Sequence, residues 1–500
     1  MAATARSVAE EPTRSGTTGR TAPRRSRGKD TDTAMNQQEH IQTPEPDRPG
    51  GHRARSRRRW WAAGLAGVTG LALTAAGITV TPIGDAVGRA ISSSDDRPGK
   101  HRGAPSAGGD HHDERAKGSG SAHDGRGKDT KGVPVPCDTD KLIAAITLAN
   151  ARGGATLNLA SKCTYLLTAP IDDAGLPDIT TPITLNGGKH TVIERAAAVE
   201  QFRILTVDTG GDLTLNKLKI TGGQTDGDGG GILVNTGGTL TTNHSTITRN
   251  IANGSGGGIY SAGVTTVRHT TVSRNTGIAS GGGFLNSGGR LTLEKAVVKA
   301  NTAGAVGGVV SSGLSAVVTI RHSLIADNSS GGAGGLLIFN GGVGTVVDST
   351  ITGNRSSNFA GIQVDGQLTL KRVKITNNTA SSGFAGGLFV DPGSTAVVED
   401  GLIQGNTSLS NFGGGVYNFS VLVMRNTKVI GNQAEEGGGI YNAGGTVTLF
   451  NTQVVKNIAT VDGGGIVNDG GTVDLNTATG TIVIKNRPNN CVGNVPDCPA

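Results

Sequence analysis

The sequence predicts an all-β fold in which short parallel strands stack into a solenoid, a parallel β-helix. Two observations favour this class. Glycine supplies 82 of the 500 residues without the three-residue period of collagen. Two landmarks recur about every 26 residues. One is a glycine before an apolar residue, and the other is an aliphatic residue three positions before an asparagine.

The glycine landmark starts one apolar column. It recurs at Gly231, Gly258, Gly283, Gly308, Gly335, Gly361, Gly387, Gly415, Gly439 and Gly465. The next residue is apolar every time, so like side chains stack about 4.8 Å apart in successive coils.

The asparagine landmark orders the rest of each repeat. It recurs at Asn250, Asn275, Asn301, Asn328, Asn354, Asn378, Asn406, Asn432 and Asn457, with Asn486 as a looser tenth. Ten and eight positions before it the residues are mostly apolar, with threonine between them, which is strand alternation. We therefore predict three short strands per coil, about 12 coils over residues 136–500, and asparagine amides that hydrogen-bond from coil to coil.

The chain before the repeats divides into three predicted segments. Residues 1–59 hold 13 basic and 7 acidic residues (13 − 7 = +6) and few large apolar ones, which predicts a disordered basic cytoplasmic tail. Residues 60–84 carry no charge and follow an arginine cluster, which predicts a transmembrane anchor. A cleaved signal peptide, of twin-arginine type, is the alternative. The polar composition of residues 85–135 predicts a flexible linker.

The two ends of the repeat region carry their own features. Leu142, Ile143 and Ile146 have helical spacing, so residues 139–152 are predicted to form a helix that caps the first coil. The four cysteines form one close pair at each end, which favours the disulfides Cys137–Cys163 and Cys491–Cys498 over a zinc site without ligand spacing.

The charge balance of the repeat region bears on its partners. Residues 136–500 contain 24 basic and 24 acidic residues (24 − 24 = 0), and aromatic residues are scarce. Nucleic-acid binding needs a basic footprint and stacking platforms. We therefore expect no nucleic-acid partner.

The repeats resemble a known group. Their Gly-Gly-Ile and Ile-x-x-Asn elements resemble the GGA[ILV] and FxxN repeats of chlamydial polymorphic outer-membrane proteins. Cys137 to Asn150, residues 153–159 and Cys163-Thr164-Tyr165 look like the start of actinobacterial right-handed parallel β-helix repeat proteins. The resemblance covers about residues 136–500. It implies right-handed coils and an exported, pectin-lyase-like solenoid, without a defined reaction.

Candidate catalytic residues were sought among charged side chains, because lyases and hydrolases of acidic polysaccharides share this fold class. Asp365 and Asp391 take the same position in adjacent coils, and His244 precedes His269 at the least neutralised place of its column. The structural alternative is a surface ladder of opposite charges, as in Lys371, Glu399 and Arg425 or Asp348, Arg372 and Asp400.

The remaining candidates concern metal and partner binding. Asp226 and Asp228 lie in a glycine-rich loop that would hold calcium under the lyase alternative; no other cofactor is expected. Tyr260, Phe389, Tyr417 and Tyr441 share an outward column, which predicts an apolar partner surface unless a loop covers it.

These features predict an exported β-helix surface protein. We expect it to be held in the cell membrane by residues 60–84, or secreted after cleavage, as a non-catalytic module for adhesion, spacing or envelope interaction. Its expected partners are cell-envelope polysaccharide or surface proteins. The alternative is a polysaccharide lyase or glycoside hydrolase that acts on acidic polysaccharide.

Overall fold

A computed structural model of the chain describes residues 132–499. The predicted tail 1–59, the anchor or signal segment 60–84 and the linker up to residue 131 lie outside the described residues. Within 132–499, no helix has the length and apolar run needed to cross a bilayer.

The described chain winds through three parallel β-sheets around one apolar core. Sheet 1 has 24 strands and receives two stretches of every regular coil, one directly after the glycines and one containing the threonines. Its strands are Val133–Val135, Ala155–Leu159, Pro182–Asn186, Leu205–Val207, Asp212–Asn216, Ile232–Val234, Thr239–Asn243, Ile259–Ser261, Val264–Arg268, Phe284–Ser287, Arg290–Glu294, Val309–Ser312, Val317–Arg321, Leu336–Val347, Ile362–Lys371, Leu388–Val390, Thr395–Glu399, Val416–Asn418, Val421–Arg425, Ile440–Ala443, Thr446–Phe450, Ile466–Asp469, Thr472–Asp474 and Cys491–Gly493.

Sheet 2 has 13 strands, each from the segment with the aliphatic residue of the Ile/Val-x-x-Asn landmark. They are Thr164–Leu167, Val192–Arg195, Lys219–Thr221, Thr246–Thr248, Thr271–Ser273, Val297–Lys299, Leu324–Ala326, Thr350–Thr352, Lys374–Thr376, Leu402–Gln404, Lys428–Ile430, Gln453–Val455 and Ile482–Ile484.

Sheet 3 has 10 short strands that follow the asparagine. They are Gln224–Thr225, Ile251–Ala252, Thr276–Gly277, Thr302–Ala303, Ser329–Ser330, Arg355–Ser356, Thr379–Ala380, Thr407–Ser408, Gln433–Glu436 and Ile458–Asp462. The sequence analysis missed this sheet, because two polar or small residues per coil carry no hydrophobic signal.

The strands form about 14 turns, so the predicted number of 12 is too low. The difference comes from the first coils, where the landmarks are weak. There Leu157 pairs in parallel register with Val133 on one side and Leu185 on the other. The solenoid therefore begins at the first strand of the described chain.

The core confirms the predicted columns. Ile232 pairs with Ile259, and Ile259 with Phe284, and all three are at most 1% exposed. Each inward aliphatic side chain packs on its counterpart in the next coil, so small residues still enclose a continuous apolar interior.

A ladder of buried asparagines runs beside this core, as predicted. In Asn354, Nδ2 donates to the Ile325 carbonyl at 3.1 Å and to Asn378 Oδ1 at 3.0 Å. Its Oδ1 accepts from Asn328 N at 3.0 Å and from Asn328 Nδ2 at 2.9 Å. The same pattern repeats from Asn250 to Asn486. The amides thus satisfy buried backbone groups at a turn that no sheet ladder reaches.

The predicted helix is present over Thr139–Ala151. Asp138 caps it, since its Oδ1 accepts from Lys141 N at 3.1 Å. Leu142, Ile146 and Ala149 are buried in the same core as the first strands.

Both predicted disulfides are present. Cys137 is bonded to Cys163, and Cys491 to Cys498. The first links the segment before the helix to the chain just before the first strand of sheet 2, and the second links the start of the last strand, Cys491–Gly493, to the chain that follows it. The described chain contains no free cysteine.

The asparagine ladder predicts a large stability cost for one internal rung. Asn354→Ala removes the amide that binds the Ile325 carbonyl and the backbone N–H of Asn328, at about 1–3 kcal/mol for each buried group left without this partner. We expect chemical denaturation of the full chain to show a loss of about 3 kcal/mol or more. The matched control is Asn253→Ala, which removes an exposed amide bonded to Asp226 and should cost under about 1 kcal/mol. Equal losses in both variants would contradict a structural role for the ladder.

Candidate functional site

The predicted aromatic column lies on the outer face of sheet 1 and is stacked. Phe389, Tyr417 and Tyr441 pair in register in successive coils. The ring centroids of Phe389 and Tyr417 are 5.5 Å apart, and those of Tyr417 and Tyr441 are 5.1 Å apart with planes only 4° from parallel. The column follows the strand spacing of the solenoid.

This column is covered at three of its four residues, so the predicted alternative of a covering loop holds there and those three residues form no exposed surface. Phe389, Tyr417 and Tyr441 are 4%, 5% and 7% exposed. Three further rings pack on them from the segment that precedes the glycines: Phe359 on Phe389 at 4.1 Å, Phe384 on Tyr417 at 4.9 Å and Phe412 on Tyr441 at 4.6 Å. Tyr260, in an earlier coil of the same column, is half-buried. As the alternation along the strand predicts, these side chains point out of the main core. They pack into a second apolar layer on the outer face of sheet 1.

A neighbouring column carries aromatic rings that do reach solvent. Phe339, Asp365, Asp391 and Phe419 occupy the same position in four consecutive coils, directly after residues that pair in register. Phe339 is 45% and Phe419 is 37% exposed. We call these four residues the Phe–Asp–Asp–Phe column. It places two adjacent carboxylates between two exposed rings.

The two carboxylates differ in environment. Asp391 Oδ2 accepts a hydrogen bond from Gln363 Nε2 at 2.9 Å, and Asp365 Oδ2 accepts one from the backbone N–H of Asn340 at 3.1 Å. Burial raises the pKa of Asp391 to about 6; the Gln363 hydrogen bond opposes this rise and the Asp365 charge adds to it. Asp391 thus keeps its proton to a higher pH than an ordinary aspartate does, and a second carboxyl group stands beside it.

A second acidic group lies at the far end of the aromatic column. The Tyr441 hydroxyl donates to Asp469 Oδ2 at 3.3 Å. Burial and the neighbouring charges of Asp462, Glu435 and Asp469 raise the pKa of Glu436. Asp462 Oδ1 accepts a hydrogen bond from Asn489 Nδ2 at 2.6 Å, so this member of the acidic group stabilises the last coils.

His244 and His269 are stacked on each other at another corner of the coil. Their ring centroids are 4.6 Å apart, and both side chains are exposed. Both residues have positive φ, 51° and 48°, at the turn between sheet 1 and sheet 2. The structure does not bring them together with Asp365 and Asp391, which lie several coils further along and on a different face.

The predicted charge ladders form in the later coils. Arg372 Nε and Nη2 donate to the two carboxylate oxygens of Asp348 at 2.5 and 2.8 Å, and this bond holds the pKa of Asp348 below its usual value. Lys371 Nζ lies 3.3 Å from Glu399 Oε2. These ion pairs brace adjacent coils, and Asp400, the next acid in the Asp348 column, accepts a hydrogen bond from Asn426 Nδ2 at 3.1 Å.

The candidate calcium residues make contacts with the next coil. Asp226 Oδ1 accepts from Asn253 Nδ2, and Asp228 Oδ1 accepts from Ser255 N, both at 2.6 Å. Across residues 132–499, no three His, Cys, Asp or Glu side chains are grouped as metal ligands. Calcium binding at Asp226 and Asp228 stays a prediction.

Comparison with known proteins places the chain in a family. A model of the right-handed beta helix region matches residues 203–369 and 333–482, which together are more than half of the chain. The chain belongs to the right-handed β-helix family. This confirms the predicted β-helix, whereas the closer resemblance to actinobacterial and chlamydial proteins stays an expectation.

Two further comparisons concern curated sequences and solved structures of other proteins. No curated protein sequence matches it. Among solved structures it is similar to tailspike protein 3 of bacteriophage CBA120, with 12% identity and a TM-score of 0.39. The match covers 71% of this chain and 59% of the tailspike chain, so the β-helix protein spans well under two thirds of the tailspike's length.

Sequence reasoning missed three residues of this site. Phe339, Phe419 and Gln363 were not singled out, although Phe339 and Phe419 stand three positions after the apolar residue, as Asp365 and Asp391 do. The coils on either side of the two aspartates carry phenylalanine at this position, so the sequence does contain a signal for the rings. The Gln363 hydrogen bond is diagonal between coils, and no column of the sequence shows it.

The raised pKa of Asp391 predicts a pH dependence of stability. The folded chain holds this proton more tightly than the unfolded one, so its contribution is complete below the ordinary pKa of 3.8 and is lost as pH rises through about 6. We expect the free energy of unfolding to fall by about 1–2 kcal/mol over that range, after allowance for partial solvent screening. Asp391→Asn should remove this slope.

The matched control is Asp327→Asn. Asp327 is exposed with φ 55°, and the chain has an asparagine with φ 54° at the same turn in Asn377. This variant should keep the pH slope of the unchanged protein. A carboxyl ¹³C resonance of Asp391 that titrates near pH 4 would contradict the assignment.

Proposed function

We propose that this β-helix protein is an exported surface module, anchored by residues 60–84 or secreted after cleavage, that acts without catalysis in adhesion, spacing or envelope interaction. Two disulfides favour an oxidising, extracytoplasmic compartment. The arginine cluster before residues 60–84 favours insertion with the β-helix outside the cytoplasm. The resemblance to exported actinobacterial and chlamydial β-helix proteins agrees with this location.

The observation that carries the proposal is the continuous asparagine ladder. It runs through ten coils, from Asn250 to Asn486, with every rung buried. About 14 turns at about 4.8 Å each form a rod of roughly 65 Å. Such a rod on the predicted linker, which ends before the strand Val133–Val135 and so is shorter than predicted, would hold its side faces away from the membrane.

Two features of the rod fit an adhesive role. The helix Thr139–Ala151 packs on the first strands, and we propose that it closes that end against pairing with another chain. Phe339 and Phe419 offer exposed rings on the side of the rod, where a sugar face can stack. The proposed partner is a polysaccharide of the cell envelope.

The alternative is a glycoside hydrolase or lyase on the same fold, and the Asp365–Asp391 pair favours it. A hydrolase needs one protonated and one ionised carboxyl group. Asp391, with its pKa near 6, would serve as the acid, and Asp365 as the base. The exposed rings on either side would then hold the sugar chain.

Surface location is tested by digestion of intact cells that produce the full chain. We expect an added protease to remove the β-helix domain while a cytoplasmic marker stays whole. We also expect alkylation without reductant to label none of the four cysteines, because all pair in the described fold. A protected domain, or cysteines that alkylate freely, would contradict export.

Catalysis is tested with the purified full chain and a panel of linear uronic-acid polymers and neutral polysaccharides. We expect no new reducing ends and no unsaturated products detectable by ultraviolet absorbance. Turnover that Asp391→Asn or Asp365→Asn abolishes and Asp327→Asn preserves would replace the module with the enzyme.

A further inference from the structure

A column of cationic side chains lies at the turn between sheet 1 and sheet 2, two residues before each sheet 2 strand. The strands that follow pair in register, so the column continues without interruption through seven consecutive coils. Its members, which we call the cationic ladder, are Lys162, His190, Lys217, His244, His269, Lys295 and His322. All seven side chains are exposed.

The backbone conformation of this column disfavours residues that carry a side chain. Every ladder residue has a positive φ, between 48° and 60°, a conformation in which glycine avoids the strain of a side chain. At another positive-φ turn, directly before the asparagine landmark, the chain uses glycine in several coils, as in Gly353, Gly405 and Gly431. At the ladder turn it has a side chain in every coil from Lys162 to Asn451. The side chains are thus present despite the backbone conformation.

No ladder residue forms an ion pair within the described chain, and the nearest acid in the column is Asp348, which follows His322. Within residues 132–499 the ion pairs are Arg203–Asp173, Lys371–Glu399 and Arg372–Asp348, and none includes a ladder residue. From Asp348 onward the same column alternates in sign, with Arg372 and Asp400 next. Lysine and histidine fill the first seven coils, so these coils lack the opposite charges that pair in the later ones.

The surface beside the ladder adds to its charge. An open groove of about 690 Å³ is lined by Lys189, His190, Lys217, Lys219 and His244. Arg268 and Arg321 stand directly before ladder residues, and Glu294 is the one carboxylate at that position in these coils. The histidines add further positive charge when protonated.

We propose that the cationic ladder binds a linear acidic polysaccharide that lies along the rod axis. The ladder repeats at the strand spacing of about 4.8 Å, shown by the 4.6 Å between the stacked rings of His244 and His269. An extended polymer with one carboxylate per sugar repeats its charge on a similar scale, so successive sugars can meet successive coils. The ladder column contains no Phe, Tyr or Trp, so the bases of a single-stranded nucleic acid could stack there only on imidazole rings. This inference deepens the proposed function by naming the class of partner, and it rests on that function for its cellular setting.

The test compares full-length variants with an oligogalacturonate, a linear chain with a carboxylate on every sugar. The ladder variant combines Lys217→Asn, His244→Asn, His269→Asn and Lys295→Asn, because the chain itself has Asn426 and Asn451 at this turn. The control combines Lys374→Gln and Lys428→Gln, two exposed sheet 2 lysines in the column where Gln453 stands. Both variants lose two lysine charges, and arginines 53–59 are the same in all of them.

We expect the ladder variant to bind about tenfold more weakly or worse and the control to stay within about twofold. Added salt should weaken binding by the unchanged protein more steeply than binding by the ladder variant. A neutral polysaccharide should bind none of the variants through this surface. Equal affinities of the ladder variant and the unchanged protein would overturn the proposal, as would tighter binding of single-stranded DNA with the same number of charges.

A second variant controls for misfolding of the ladder variant, which carries four substitutions. Lys295→Asp places in the ladder the residue type that the chain has at the same turn in Asp348. It should keep the circular dichroism and denaturation midpoint of the unchanged protein and still weaken binding severalfold. Unaltered binding by this variant would also overturn the proposal. A failure here leaves surface location intact, because protease accessibility on cells measures that independently.

Discussion

The in-register hydrogen-bond ladder of buried asparagines is the constraint on which the rest of this structure depends. Short strands in a parallel stack can shift along their own length relative to one another unless something fixes each coil against the next. The asparagine amide does so, because one side chain binds a backbone carbonyl in the preceding coil and an amide oxygen in the following one. A coil shifted by one residue would bury an amide without partners, at a cost that small aliphatic packing cannot offset.

A fixed register turns a linear repeat into columns of defined chemistry. Because position in the coil determines position on the rod, Asp365 and Asp391 meet as neighbours although 26 positions separate them in the chain. The same rule places Phe339 and Phe419 on either side of them and brings His244 to within 4.6 Å of His269. The β-helix thus obtains functional surfaces by substitution within columns, without long loops.

The predictability of each feature follows from how many coils repeat it. The apolar, glycine and asparagine columns recur in about ten coils, so the sequence alone predicts the core, the turn amides and the stacking direction. A second set of buried amides, Asn418 with Asn442 at 2.8 Å and Asn442 with Asn468 at 2.9 Å, occupies too few coils to be seen as a column. The aromatic cover formed by Phe359, Phe384 and Phe412 escapes prediction for another reason, since it comes from the segment of variable length before the glycines. Positive φ at the ladder turn is hidden because lysine, histidine and aspartate stand where glycine or asparagine would signal it.

A surface built from columns favours one kind of ligand. Each coil offers a single weak contact, worth little by itself when exposed to water. A small molecule would engage one or two coils and gain little. A polymer whose own repeat matches the strand spacing engages several coils once the first contact has formed, because every later contact is intramolecular and its effective concentration is high. The ladder of seven cationic side chains and the Phe–Asp–Asp–Phe column both extend along the rod axis in this way. The geometry of the solenoid therefore selects for long, regular partners, and the sign of the charge in each column decides which polymer can lie there.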